Sequence, residues 1–159
     1  MIASMRWAIM SAASLLWVLA AASAAPPTIQ GYWLTANKKG VVEIFPCGER
    51  VCGKLAWFRL DPGDPNPEAR DIKNPDPARR HEPLCGLVFI HEFKSTEPNT
   101  WEDGNIYDPE SGNTYHGEMR LQADGTLRLR GYIGISLIGR SEVWTRYTQP
   151  LPSCPTRQQ

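Results

Sequence analysis

Apolar and polar positions alternate with a period of two along much of the chain, the repeat of half-buried β-strands. The pattern is clearest over residues 125–147. Leu127, Leu129 and Ile133 share one face, and Arg128, Arg130 and Tyr132 the other. Residues 134–139, with Ser136 among them, predict a bend, and residues 140–147 a returning strand. Just upstream, residues 114–121 set Tyr115, Met119 and Leu121 on one face around Gly117, with His116, Glu118 and Arg120 opposite. Ala123-Asp124-Gly125 is a connection of the kind hairpins prefer.

Earlier segments follow the same rule. Residues 31–35 predict a first strand, residues 37–40 a polar turn, and residues 41–45 and 51–58 a hairpin around Gly48-Glu49-Arg50. Residues 84–93 are apolar enough for a buried strand, and residues 95–100 predict a loop. Residues 101–108 predict a strand with a bulge or turn at Asp103-Gly104, followed by a turn centred on Ser111-Gly112. Residues 59–83 break the pattern, because prolines at 62, 65, 67, 75, 77 and 83 cannot donate to a ladder. A connection of that length is often functional. The sum is about eight strands and no predicted helix. The expected fold is all-β, a small antiparallel up-and-down barrel, with a two-sheet sandwich as the alternative. Such a barrel is filled by side chains or holds one small ligand.

Composition adds a compartment. Residues 1–6 carry one positive charge, residues 7–21 are almost wholly apolar, and Ala22-Ser23-Ala24 offers small residues for cleavage. That is the layout of a secretory signal peptide over residues 1–24, leaving one domain over residues 25–159. The apolar run is about 15 residues, short of the roughly 20 a spanning helix needs. The 159-residue chain has 17 basic and 17 acidic residues. That balance argues against a nucleic-acid partner. Four cysteines in an exported chain favour disulfides. Three pairings exist; Cys47 and Cys52 flank a predicted turn and are the favoured pair, leaving Cys85 with Cys154. No second close pair exists to complete a zinc site. His81, His91 and His116 are scattered without metal spacing, and the acidic run over residues 61–68 lacks the spacing of a calcium loop. No metal or cofactor is expected.

The ordered segments also resemble a known family. Trp33-Leu-Thr, Gly40-Val-Val-Glu-Ile with Cys47 and Cys52, and Asn74-Pro-Asp-Pro-Ala open the likeness. Pro83-Leu-Cys-Gly-Leu, Gly104-Asn-Ile-Tyr-Asp-Pro and Ser111-Gly-Asn-Thr-Tyr continue it. Leu129-Arg-Gly-Tyr-Ile-Gly and Gly139-Arg with Trp144-Thr-Arg complete it. The chain resembles the bacterial domain of unknown function 2147. The resemblance implies an exported barrel similar in shape to lipocalins, with no established activity and no catalytic residues to carry over. Gly31-x-Trp33 is also similar to the lipocalin Gly-x-Trp signature, in which an arginine of the last strand packs over the tryptophan. Arg146 occupies a suitable position for barrel closure.

The candidate binding groups are polar residues in or beside strands: Asn74, Asp76, Asp108, Tyr115, Arg130, Tyr132 and Arg140. If the Pro-rich loop folds over a barrel mouth, they could orient a ligand in an apolar cavity. Each also has a structural reading, in turns or ion pairs. The expected function is therefore a non-catalytic module for a small apolar or amphipathic ligand or an envelope partner. Two alternatives are a hydrolase acting on envelope material through Asp108 or Asp76, and a structural envelope protein with a filled barrel. Tyr115, Met119, Leu127, Leu129 and Trp57 are the side chains expected to decide whether the interior is hollow.

Overall fold

The computed structural model describes residues 28–134 and 139–154. The proposed signal peptide and Ser136 of the expected bend lie outside them. Eight strands form a closed antiparallel barrel in sequence order. They are β1 (Gly31–Leu34), β2 (Gly40–Cys47), β3 (Arg50–Phe58), β4 (Val88–Glu97), β5 (Thr100–Asp108), β6 (Asn113–Leu121), β7 (Leu127–Tyr132) and β8 (Gly139–Arg146). One 3-10 turn, Pro77–Arg79, interrupts the β3–β4 connection. Among the described residues no helix is long and apolar enough to cross a membrane.

The bounds of β4 and β7 differ most from the pattern reading. β4 begins at Val88 because Leu87 N–H closes a turn onto the Leu84 carbonyl at 3.0 Å. It then runs through Glu97, and the turn into β5 is made at Asn99, whose φ is 61°. Ile133 lies beyond the end of β7 and is 66% exposed, so it joins no buried face. The bulge near Asp103 is present, with a register shift between Trp101 and Gly104.

One end of the barrel is closed by aromatic packing. Trp33 is fully buried and its Nε1 donates to the Ile29 carbonyl at 2.8 Å. The Arg146 guanidinium lies 3.9 Å from the Trp33 ring centroid and donates to the carbonyls of Gln30 and Thr28. The glycine of the Gly-x-Trp segment has two reasons to be there. Gly31 sits at φ 115°, and a Cβ would stand 3.1 Å from the Arg146 Nη1. Cys47–Cys52 pins the β2–β3 turn, and Cys85–Cys154 ties the C-terminal tail to the long connection.

The interior above this end is filled. Ile90 and Phe93 from β4 and Met119 from β6 are all fully buried, and Ile106 from β5 packs against them. Leu127 and Leu129 from β7 are buried as well, while Tyr115 and Trp57 are half-buried. Phe93 is accommodated because the facing strands present no side chain. A Cβ on Gly104 would lie 2.1 Å from the Phe93 ring, and one on Gly117 2.6 Å. The strand glycines are thus the complement of a large neighbour, which is how interiors reach close packing.

Candidate functional site

The β3–β4 connection docks on the outside of the barrel. Ile90 pairs with Ile106 on the inner face, so the next pair, His91 and Asn105, points outward. Tyr107 follows Asn105 by two residues, and its partner Thr114 shares that outer face. An aromatic residue facing outward needs cover, and the connection supplies it: Tyr107 is only 9% exposed. This differs from a loop folded over the barrel mouth. The anchoring residue points away from the lumen, and the lumen beneath is occupied.

Asp71 is the hub of the docking. It is fully buried. Its Oδ1 accepts from the Tyr107 hydroxyl at 2.7 Å, and its Oδ2 from Asn74 Nδ2 at 2.7 Å. Its own N–H donates to the Glu82 carbonyl, and its carbonyl accepts from Asn74 N–H. Burial, then the hydrogen bond to Asp71, pushes the Tyr107 phenol well above its ordinary range, so it stays protonated. A short bridge between Arg70 and Pro83 turns the connection back on itself. Lys73 Nζ donates to the Glu110 carbonyl at 2.6 Å, fixing the connection to the β5–β6 turn. Gly112 permits that contact: its φ is 77°, and a Cβ there would lie 2.3 Å from the Lys73 carbonyl oxygen.

Between the connection and the outer face runs a cleft in two parts. The first, about 180 Å³, is lined by Asn74, Pro75, Arg79 and Leu87 on one side and His91, Tyr107 and Thr114 on the other. The second, about 350 Å³, shares Arg79, Leu87, Val88 and His91 and extends to Glu82, Pro83 and Cys85. Arg79 is clamped by Glu82: Nε donates to Oε1 at 3.1 Å and Nη2 to Oε2 at 3.0 Å. That pairing raises the Arg79 pKa and lowers that of Glu82, so both stay charged. Arg80 Nε donates to the Asn74 carbonyl at 2.8 Å. The cleft thus combines polar groups (Thr114, His91 and the Tyr107 oxygen) with an apolar strip of Pro75, Leu87 and Val88.

Of the seven candidate binding residues, Asn74 lines this cleft. Asp76 caps the 3-10 turn, its Oδ1 accepting from Ala78 N–H at 2.9 Å. Asp108 organises the β5–β6 turn, accepting from Glu110 N–H at 2.9 Å and from the Ser111 hydroxyl at 2.6 Å. Tyr115 faces inward opposite Ile106. Arg130 faces outward and donates to the Ser141 hydroxyl at 3.3 Å. Tyr132 lies 6.0 Å from the His116 ring centroid. Arg140 is exposed at the start of β8, opposite Gly131. The seven therefore fall at opposite sides of the barrel and form no single site. Pattern reasoning missed Asp71, Tyr107 and Arg79. The signal for Tyr107 was an aromatic residue on the solvent register of a strand, beside a long connection in need of a seat. Among the described residues no group of three or more His, Cys, Asp or Glu is placed to hold a metal.

The fold has a solved counterpart. The chain is similar to protein HP1028 from the human pathogen Helicobacter pylori, described as belonging to the lipocalin family. The TM-score is 0.67 at 20% identity, over 77% of this chain and 85% of that one. At that identity the likeness shows the fold: a closed, lipocalin-like antiparallel barrel. No curated protein matches the sequence. Residues 31–146, from the first barrel strand to the last, match the family described as "uncharacterized protein conserved in bacteria (DUF2147)", and the chain belongs to that family.

Proposed function

We propose that this is an exported, non-catalytic binding protein whose ligand is a small, uncharged, amphipathic molecule held in the outer cleft. The observation that carries the reading is the state of the cleft's charges. Arg79 is paired with Glu82, and Asp71 is bonded to Tyr107 and Asn74. A charged ligand would have to break such a pair to gain one. The hydrogen-bonding groups of Thr114 and His91, beside Leu87 and Val88, suit hydroxyl or amide groups carried on an apolar body. One part of the cleft falls below, and the other near the lower end of, the roughly 300–1,000 Å³ typical of ligand sites, which favours a small molecule. Export is supported by the N-terminal sequence pattern and by the two disulfides.

The enzymatic reading is weaker, because both carboxylate oxygens of Asp108 and the Oδ1 of Asp76 accept hydrogen bonds within turns. The reading as a ligand-free structural barrel agrees with the packed interior but leaves the cleft without a role. Native mass spectrometry of protein purified without detergent from an exporting host separates them. A bound small molecule, released by denaturation and lost in His91→Ala, is the expected result. A ligand retained by that variant, or a clean ligand-free mass from every host, would overturn the proposal.

A further inference from the structure

We propose that the upper half of β8 is an open edge that pairs with β8 of a second copy of this chain, about a two-fold axis at Ser141. β8 has eight residues and β1 four. They pair only at Trp33 with Arg146 and Leu34 with Thr145. β7, on the other side, pairs with β8 from Leu127 opposite Trp144 to Tyr132 opposite Gly139. Residues 139–143 therefore extend past the end of β1 with no strand beside them among the described residues. All five are exposed, and Val143 is 46% exposed. Along such an edge alternate N–H and C=O groups point outward, so it is a template for another strand.

Charges on an edge ordinarily keep other chains away. Here their order suits self-pairing. An antiparallel register centred on Ser141 puts Arg140 opposite Glu142 of the second copy, and Glu142 opposite its Arg140. By alternation both residues lie on the face that carries Trp144, so each pair meets on one side of the joined sheet. Val143 then lies opposite Gly139, and the two Ser141 residues face each other. Sliding by one residue pair loses both charge pairs, so the sequence selects one register as well as one partner. The interface is isologous and closes at two copies.

Sedimentation equilibrium of the disulfide-bonded full chain, over a concentration series, tests this. The wild type is expected to show a monomer–dimer equilibrium. Arg140→Glu sets like charges opposite each other twice and should weaken the dimer on the order of 10- to 100-fold. Glu142→Arg should do the same. It also removes the acceptor of Trp144 Nε1, so a mixture of the two variants is the decisive sample. Two glutamates on one copy then face two arginines on the other, and a heterodimer near wild-type affinity should form. A wild type that stays monomeric at its highest soluble concentration, or a dimer indifferent to Arg140→Glu, overturns the proposal.

Discussion

The two faces of the β4–β6 sheet use the same strands for opposite purposes. Inside, Phe93 and Ile106 project into space that Gly104 and Gly117 leave empty, and Ile90 into space left by Gly53. Outside, His91, Tyr107 and Thr114 project beneath the Pro-rich connection, which is held by a buried carboxylate, a phenol and an amide. The inner face is matched by shape, the outer face by hydrogen bonds. Under the proposed function, a lipocalin-like barrel carries its recognition surface outside the lumen, where a long connection docks on the wall.

Variants can sharpen this contrast. The largest effect is expected at the closed end, where Trp33→Ala should cost about 3–5 kcal/mol in a urea melt. Gly104→Ala should cost about 1–3 kcal/mol by overpacking against Phe93. In a Phe93→Leu background the same change should cost less, and a double-mutant cycle measures the coupling. Equal costs in both backgrounds would mean that the glycine is not there for the ring. On the outer face, Tyr107→Phe should cost about 1–3 kcal/mol, because the buried Asp71 loses a donor. It should also loosen the connection, read as a larger rise in amide exchange at Asn74 than at Met119.

The same phenol gives a pH test. Its folded pKa is raised above the unfolded value of about 10. The folded state therefore holds the proton more tightly, and the stabilisation is complete below pH about 10 and is lost as pH rises beyond it. Wild-type stability should fall above that pH more steeply than that of Tyr107→Phe. Tyrosine absorbance of the wild type should show a late, high-pH ionisation that Tyr107→Phe lacks. The smallest effect is expected at the exposed Lys39–Asp61 pair, where Lys39→Ala should leave the melting temperature essentially unchanged.

The barrel was legible because several strands, β6 and β7 above all, carry a two-residue alternation and most turns a glycine, proline or asparagine. The Cys47–Cys52 turn could be read for the same local reason. The Trp33–Arg146 contact joins residues far apart in sequence. It could be anticipated only because a short motif at one end has a known kind of partner at the other. The cleft had no such help. Asp71 and Tyr107 are 36 residues apart, and nothing local marks an aspartate in an acidic, proline-rich run as the one that will be buried. Asp76 and Asp108 looked equally available from sequence, yet each is occupied by the turn it begins. The filled lumen was hidden for a related reason: Gly104 and Gly117 become meaningful only once the register places Phe93 across from them.

The proposed recognition on the outer wall, and not in the lumen, can be read by a ¹H–¹⁵N NMR titration with octyl glucoside below its micelle concentration, an uncharged hydroxyl-bearing head on an apolar tail. Saturable shifts are expected at the amides of Leu87, Val88, His91 and Thr114, with those of Gly117 and Met119 unmoved. Shifts confined to Gly117, Met119 and Leu129, or none at any amide, would contradict it.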